Sequence, residues 1–298
     1  MRRHIFIIAC IAAALAIVYA FANADDARHT ISPRELQQPQ VPAPLASRAD
    51  SADYVLARFW SALDFADPAS GCRDTVFMQQ GFARFADMLT HASSDSARSA
   101  AVDTLLRRAS ADSLALDLLS WIAETHLNAT DSPAYSEGAY IMFLKWLSQS
   151  DATDPAMRER YAAQLSDMNR NRPGDVAADF SYTAVDGTSS TLLALAAAHD
   201  STLVVFYDPD CRDCHLLIDS LASDTRLHAA VDAGTMAVMA VYPYDDIELW
   251  RRTAGEIPAW WITARTDGSI EEEGIYYLPR TPRTYLIDRT GRITSVRE

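Results

Sequence analysis

The chain has 298 residues, 26 basic against 40 acidic side chains and a formal net charge of −14, with 49% apolar and 22% charged residues. A mean hydropathy of −0.08 marks most of it as globular, with room for about two domains at ~150 residues each, and its acidity repels phosphate backbones, so nucleic-acid partners are excluded. Lys145 is its only lysine and falls inside an apolar helical pattern, which argues against a Walker-type phosphate loop or a Schiff-base enzyme.

Met1-Arg2-Arg3-His4, the apolar run Ile5 to Phe21 and Ala22-Asn23-Ala24 spell the n-region, h-region and A-x-A site of a secretory signal peptide over residues 1–24. Its removal takes Arg2 and Arg3 and leaves −16 over 274 residues. Alternatively, the 17 residues 5–21 stay as an inner-membrane anchor, though they barely reach across a bilayer. Ile7-Ile8-Ala9-Cys10 is similar to a lipidation site, but too few apolar residues precede Cys10. Residues 25–50, rich in Pro, Gln, Ala and Asp, read as a flexible tether.

From 51 to 170 the apolar residues recur at helical spacing: Val55, Phe59, Ala62 and Leu63; Phe82, Phe85 and Leu89; Leu114, Leu118, Trp121 and Ile122; Tyr140, Leu144 and Leu147. Asp154 is placed to cap a helix opening on Pro155, and Ser93-Ser94-Asp95 and Asp112-Ser113 precede two others. The segment is expected to be an all-helical domain of about six helices. At Asn171-Arg172-Pro173-Gly174 the period changes, a natural break before residues 171–298. Phe180 to Val185 and Thr188 to Leu192 predict a hairpin about the turn Asp186-Gly187. A short helix (Leu193 to His199), a strand (Thr202 to Tyr207), a helix after Cys214, a strand (Met236 to Tyr242), a helix from Asp245 and a closing hairpin (Thr284 to Asp288, Arg292 to Val296) follow. Strands alternating with helices describe an α/β sandwich, expected to fold without the helical domain.

Cys211-Arg212-Asp213-Cys214 lies between an apolar strand and a helix, the setting in which C-x-x-C reads as a redox pair. At a helix start the unpaired amides favour the first thiolate, and the second cysteine, one turn on, can close a disulfide with it. Asp208, Asp210 and Asp213 oppose ionisation while Arg212, His215 and the helix terminus favour it, so the net effect on the thiols stays open.

Residues 171–298 resemble an extracytoplasmic thioredoxin-like (TlpA-like) domain, through Phe206-Tyr207-Asp208-Pro209-Asp210-Cys211 and Arg280-Thr281-Pro282-Arg283-Thr284-Tyr285-Leu286-Ile287-Asp288. The chain is also similar to bacterial envelope proteins in which an uncharacterised helical domain precedes such a domain, the match running from Phe59-Trp60 to Asp64-Phe65-Ala66-Asp67. The fold so implied is α + α/β, an all-helical domain followed by a thioredoxin-like sandwich. The resemblance implies Cys211 as attacking thiol, Cys214 as resolving thiol, Thr281 and Pro282 as the backbone that pairs with substrate, and Pro282, with Pro279 as runner-up, as the cis-proline. Pro209, Asp210, Arg212 and Asp213 flank the motif. Two positions depart from the pattern: Asp210 stands where a tryptophan is usual, and Val205 where cytosolic thioredoxins often bury an acid.

The same residues carry competing readings. Cys211 to His215 also spells the C-x-x-C-H signature of c-type haem attachment, but the strand, the helix and the Pro282 segment fit the redox pattern better. By resemblance to peroxiredoxins a peroxidatic cysteine follows Thr or Ser by three residues, and Asp208 stands there instead; no further ligand pair accompanies Cys211, Cys214 and His215, so no metal is expected, and no cofactor either. Cys72 reads as a small buried or loop thiol rather than a redox partner, Trp260-Trp261 as core in preference to a substrate-groove lining, Glu271-Glu272-Glu273 as a solvated loop, and Asn128-Ala129-Thr130 as a glycosylation sequon that matters only in a host with that machinery. The function expected is periplasmic thiol-disulfide oxidoreduction, with protein thiol or disulfide clients and a membrane redox partner; direction of electron flow and oligomeric state stay open. The alternative is a non-catalytic envelope binding module whose functional part is the helical domain.

Overall fold

The computed structural model describes residues 36, 37, 39–42 and 47–297. The signal peptide or anchor, Cys10 and most of the tether expected from the sequence lie outside the described residues. No helix among the described residues is long and apolar enough to cross a membrane. By compactness the chain divides between Ile122 and Ala123.

In the first unit, α1 (Arg48–Arg58) begins within the stretch expected to be tether, with Ser47 capping it by accepting from the Asp50 amide. A short 3-10 turn, Pro68–Ser70, leads to α2 (Thr75–Thr90), α3 (Asp95–Ala109) and the start of α4 (Ser113–Leu127). Ser94 caps α3 through the Ala97 amide, as the sequence suggests, and Asp112 accepts from the Ala115 amide at the head of α4. The core is aromatic: Phe59 meets Trp60 edge to face at 5.2 Å, and Phe85 lies 6.0 Å from each of them. Cys72 is fully buried, its thiol directed at the carbonyls of Phe65 and Asp67. The buried face of α4 differs from the one expected. Leu114 and Trp121 are 57% and 48% exposed, and Ala115 and Leu119 face inward alongside Ile122, the expected position that is fully buried. This helix is apolar around most of its circumference, so periodicity alone could not set its rotation.

The second unit begins within α4 and continues with α5 (Glu137–Leu147) and α6 (Pro155–Met168). These two pack together, and Asp154 caps α6 by accepting from Ala156 and Met157. The α/β part follows: β1 (Ser181–Ala184) and β2 (Ser189–Thr191) form the expected hairpin, then α7 (Leu192–Ala198), β3 (Ser201–Phe206), α8 (Arg212–Ala222), α9 (Thr225–Asp232), β4 (Met236–Tyr242), α10 (Ile247–Thr253), β5 (Ile262–Arg265), α11 (Ser269–Glu272), β6 (Arg283–Asp288) and β7 (Ile293–Arg297). The sequence reading missed α9, β5 and the one-turn helix α11, which takes in Glu271 and Glu272 of the run expected to be a solvated loop. The strand is only four residues long and follows Trp260-Trp261 with no alternation to mark it.

The seven strands are ordered β2-β1-β5-β4-β3-β6-β7. The pairs β3·β4 and β4·β5 are parallel, and β6 runs antiparallel to β3. Alternation along β3 divides the core between the two faces of the sheet. Val204 and Phe206 join Leu192 and Ala196 of α7, Tyr276, Tyr285 and Ile287 on one face. Val205 joins Tyr207, Cys214 and Ile218, Trp250 of α10 and Trp261 on the other. Trp261 is therefore core, as expected.

Candidate active site

Ligands of open α/β sheets gather beyond the carboxyl ends of the parallel strands, and β3 delivers the chain to that edge at Phe206. Tyr207 to Asp210 turn it into α8. The Asp208 carboxylate accepts from the Asp210 amide at 2.9 Å, and the Asp208 carbonyl accepts from the Cys211 amide at 3.1 Å. Cys211 is thus the N-cap of α8, and its Sγ accepts from the Cys214 amide at 3.2 Å. A sulfur at this position receives one of the orphan amides of the helix and faces the positive end of its dipole. Pro209 is buried in the turn, whereas Asp210, Arg212 and Asp213 are exposed around it.

The two thiols differ in surroundings. Cys211 is half-buried and open at the helix start; Cys214, one turn on, is 1% exposed and packs among Val205, Tyr207, Ile218 and Trp250. Burial pushes the Cys214 thiol up to about 12, since its thiolate would sit in apolar surroundings; the Asp208 amide, a hydrogen-bond donor, only partly opposes this. Val205 is one of those neighbours, so the position that often holds a buried acid supplies only aliphatic surface here. A small cavity of about 30 Å³ beside Cys214 is lined by Tyr207, Asp208, His215, Asp219 and Glu256, among others. Asp219 and Glu256, which the sequence reading did not associate with the motif, thus join Asp208 along its lining. His215 does not face a ligand position: its Nε2 donates to the Pro209 carbonyl at 2.7 Å.

The second expected segment arrives from 70 residues further on. The Thr281–Pro282 peptide bond is cis, at the first of the two prolines considered, and the Thr281 carbonyl accepts from the Cys211 thiol at 3.3 Å. The structure therefore brings Cys211, Cys214, Thr281 and Pro282 together. The sequence reading did not single out Arg283, the next residue, whose side chain is 3% exposed and paired with Glu137, 0% exposed. An arginine at the head of a strand that carries Tyr285, Leu286 and Ile287 was the visible signal; its partner, 146 positions earlier, left none. Among the described residues no group of three or more His, Cys, Asp or Glu side chains is placed to hold a metal ion.

Residues 21–171 match a family described as a domain of unknown function (DUF5106). No match was found among curated proteins. Among solved structures, a thioredoxin-like protein from Bacteroides caccae is 22% identical and superposes with a TM-score of 0.78, over 88% of this chain and 94% of its own. That likeness shows the fold: a helical region followed by a thioredoxin-like α/β sandwich. A conserved protein of unknown function from Bacteroides fragilis is 33% identical over 42% of this chain and 90% of its own, with a TM-score of 0.40. The thioredoxin domain of a thiol-disulfide oxidoreductase from Bacteroides vulgatus is 19% identical over 43% of this chain and 89% of its own, with a TM-score of 0.38.

Proposed function

Because the chain belongs to the DUF5106 family, here joined to a thioredoxin-like sandwich, we propose that it is a thiol-disulfide oxidoreductase of the cell envelope whose reacting pair is Cys211 and Cys214. One observation carries the reading: Sγ of Cys211 caps α8 and touches the carbonyl of a cis-proline segment, while the second thiol lies buried one turn behind it. The Cys211 thiolate attacks one sulfur of a substrate disulfide and expels the other as a thiolate, leaving a mixed disulfide. Cys214, once deprotonated, attacks the sulfur of Cys211 and releases the second substrate thiol. Two electrons pass to the substrate and the protein pair becomes a disulfide; the reverse sequence oxidises a dithiol. Thr281 and Pro282 hold the substrate strand over Cys211. Clients are protein thiols or disulfides, and a membrane redox partner resets the pair. The leader Met1 to Ala24 supports a periplasmic location, with anchorage by residues 5–21 as the alternative.

The roles are separable by trapping. Cys214→Ser removes the one thiol among the described residues that is placed to resolve the intermediate, so acid-quenched, alkylated cells should show a ladder of mixed disulfides on a non-reducing gel. Cys211→Ser should show none, since Cys214 and Cys72 are both buried. Equal ladders would reverse or void the assignment; no ladder from either variant would favour a non-catalytic binding module.

A further inference from the structure

The segment that touches Cys211 is gripped from outside the sandwich. Arg283 follows Pro282, and its guanidinium donates to both oxygens of the Glu137 carboxylate, one of the two contacts measuring 2.9 Å. Its Nε donates to the Tyr285 hydroxyl at 2.9 Å. Glu137 also accepts from the Tyr135 hydroxyl at 2.9 Å and lies 3.2 Å from Arg172. At the other end of the same stretch, the Arg280 guanidinium sits 4.5 Å over the ring of Tyr135. Residues 135–137, where the chain enters α5, thus hold both ends of Arg280-Thr281-Pro282-Arg283. Between those ends lies the carbonyl that meets Cys211 at 3.3 Å.

A buried ion pair is a poor means of stabilising a fold, because an apolar pair of similar volume commonly does as well. What the two-pronged contact adds is direction: a planar guanidinium held by both carboxylate oxygens fixes position and angle together. We propose that Glu137 is a positioning residue for the thiol site, setting through Arg283 the placement of the Thr281 carbonyl against Cys211. This rests on the oxidoreductase reading above and gives residues of the DUF5106 match a part in the site itself. The hydrogen bond from the Cys211 thiol to that carbonyl favours the reduced pair, so loosening the stretch moves the equilibrium toward the disulfide.

The test uses the full chain with Glu137→Gln, which keeps the side-chain shape but loses the charge and one acceptor, and Arg283→Lys, which keeps the charge but loses the two-pronged contact. In the reduced proteins, iodoacetamide modification of each cysteine is followed by peptide mass. Hydrogen exchange of residues 279–284 and the dithiol–disulfide equilibrium against glutathione are measured alongside. Glu137→Gln should alkylate Cys211 at least about threefold faster, speed exchange of 279–284 selectively, and shift the equilibrium about threefold toward disulfide, the worth of one neutral hydrogen bond. Arg283→Lys should fall between it and the parent. Cys72 and Cys214 report unfolding: if both become reactive in Glu137→Gln, the lysine variant decides. Rates and equilibrium within twofold of the parent in a folded variant, or exchange raised uniformly across residues 123–297, would overturn the proposal. If the parent forms no disulfide at any glutathione ratio, the oxidoreductase reading fails, and alkylation with exchange still decides the role of Glu137.

Discussion

At the scale of single residues, Glu137 and Cys214 are two buried groups whose ionisation is displaced in opposite senses. For Glu137, burial alone would raise the carboxyl, but the hydrogen bonds and charge of Arg283 outweigh it and hold the group ionised below the usual range. Breaking such a pair from one side costs about 3–5 kcal/mol, against ~0–1 kcal/mol for an exposed pair of the kind Arg251 makes with Glu248. Cys214 is held neutral by burial: an ordinary thiol near 9.0 becomes one near 12. At neutral pH its thiolate is about a thousandfold scarcer than that of a free thiol, and the fraction grows tenfold with each pH step up to about 12. Closure of the protein disulfide by Cys214 should therefore accelerate about tenfold per pH step between 7 and 9. Rapid-quench release of a peptide from its preformed mixed disulfide with Cys211 measures this; a flat profile would show that another group takes the proton before the rate-limiting step.

Among the elements, α8 and α6 show how little sequence is needed to set a helix start. Cys211 and Asp154 both stand at N-caps, and each accepts from amides of the first turn. At α8 the cap is the sulfur proposed above as the attacking atom, and it accepts from the Cys214 amide at 3.2 Å. At α6 it is only a cap, with Pro155 behind it supplying a preset φ. Asp154→Ala should accordingly lower stability by about 1 kcal/mol and Asp154→Asn by a few tenths, read from urea denaturation of the full chain. Equal losses would mean that the charge, not the cap geometry, holds that turn.

On the scale of the whole molecule, the compact unit and the sequence-derived break do not fall at the same place. The break at Pro173-Gly174 separates Glu137 and Tyr135 from Arg283 and Arg280, whereas the compact unit that begins at Ala123 keeps them together. Asn171 ties the same region down, its side chain donating to the Ile275 carbonyl and accepting from the Ala178 amide, both at 2.8 Å. A fragment 175–298 should therefore be less stable than a fragment 123–298 by at least about 3 kcal/mol, the loss expected when one partner of a buried pair is removed. Equal midpoints and slopes in urea would show that the sandwich needs nothing from α5 and α6.

The sequence by itself determined whatever depends on neighbours along the chain. Helical spacing gave Tyr140, Leu144 and Leu147 their buried face, Asp154 its cap, Asp186-Gly187 its turn, and C-x-x-C its place between strand and helix. With the resemblance it also located Pro282. Tertiary structure decided what depends on groups far apart in sequence. Helix α4, apolar on most sides, took its rotation from its packing partners. Gly81, a weak point in a helix by propensity alone, is required because a Cβ there would lie 2.9 Å from the Trp60 ring. The rise of Cys214 toward 12 needs Val205, Trp250 and Ile218 assembled around it, and the ionised state of Glu137 needs a guanidinium from 146 residues away. Desolvation and ion pairing act over a few ångströms of space, and only the folded chain sets which side chains share that space.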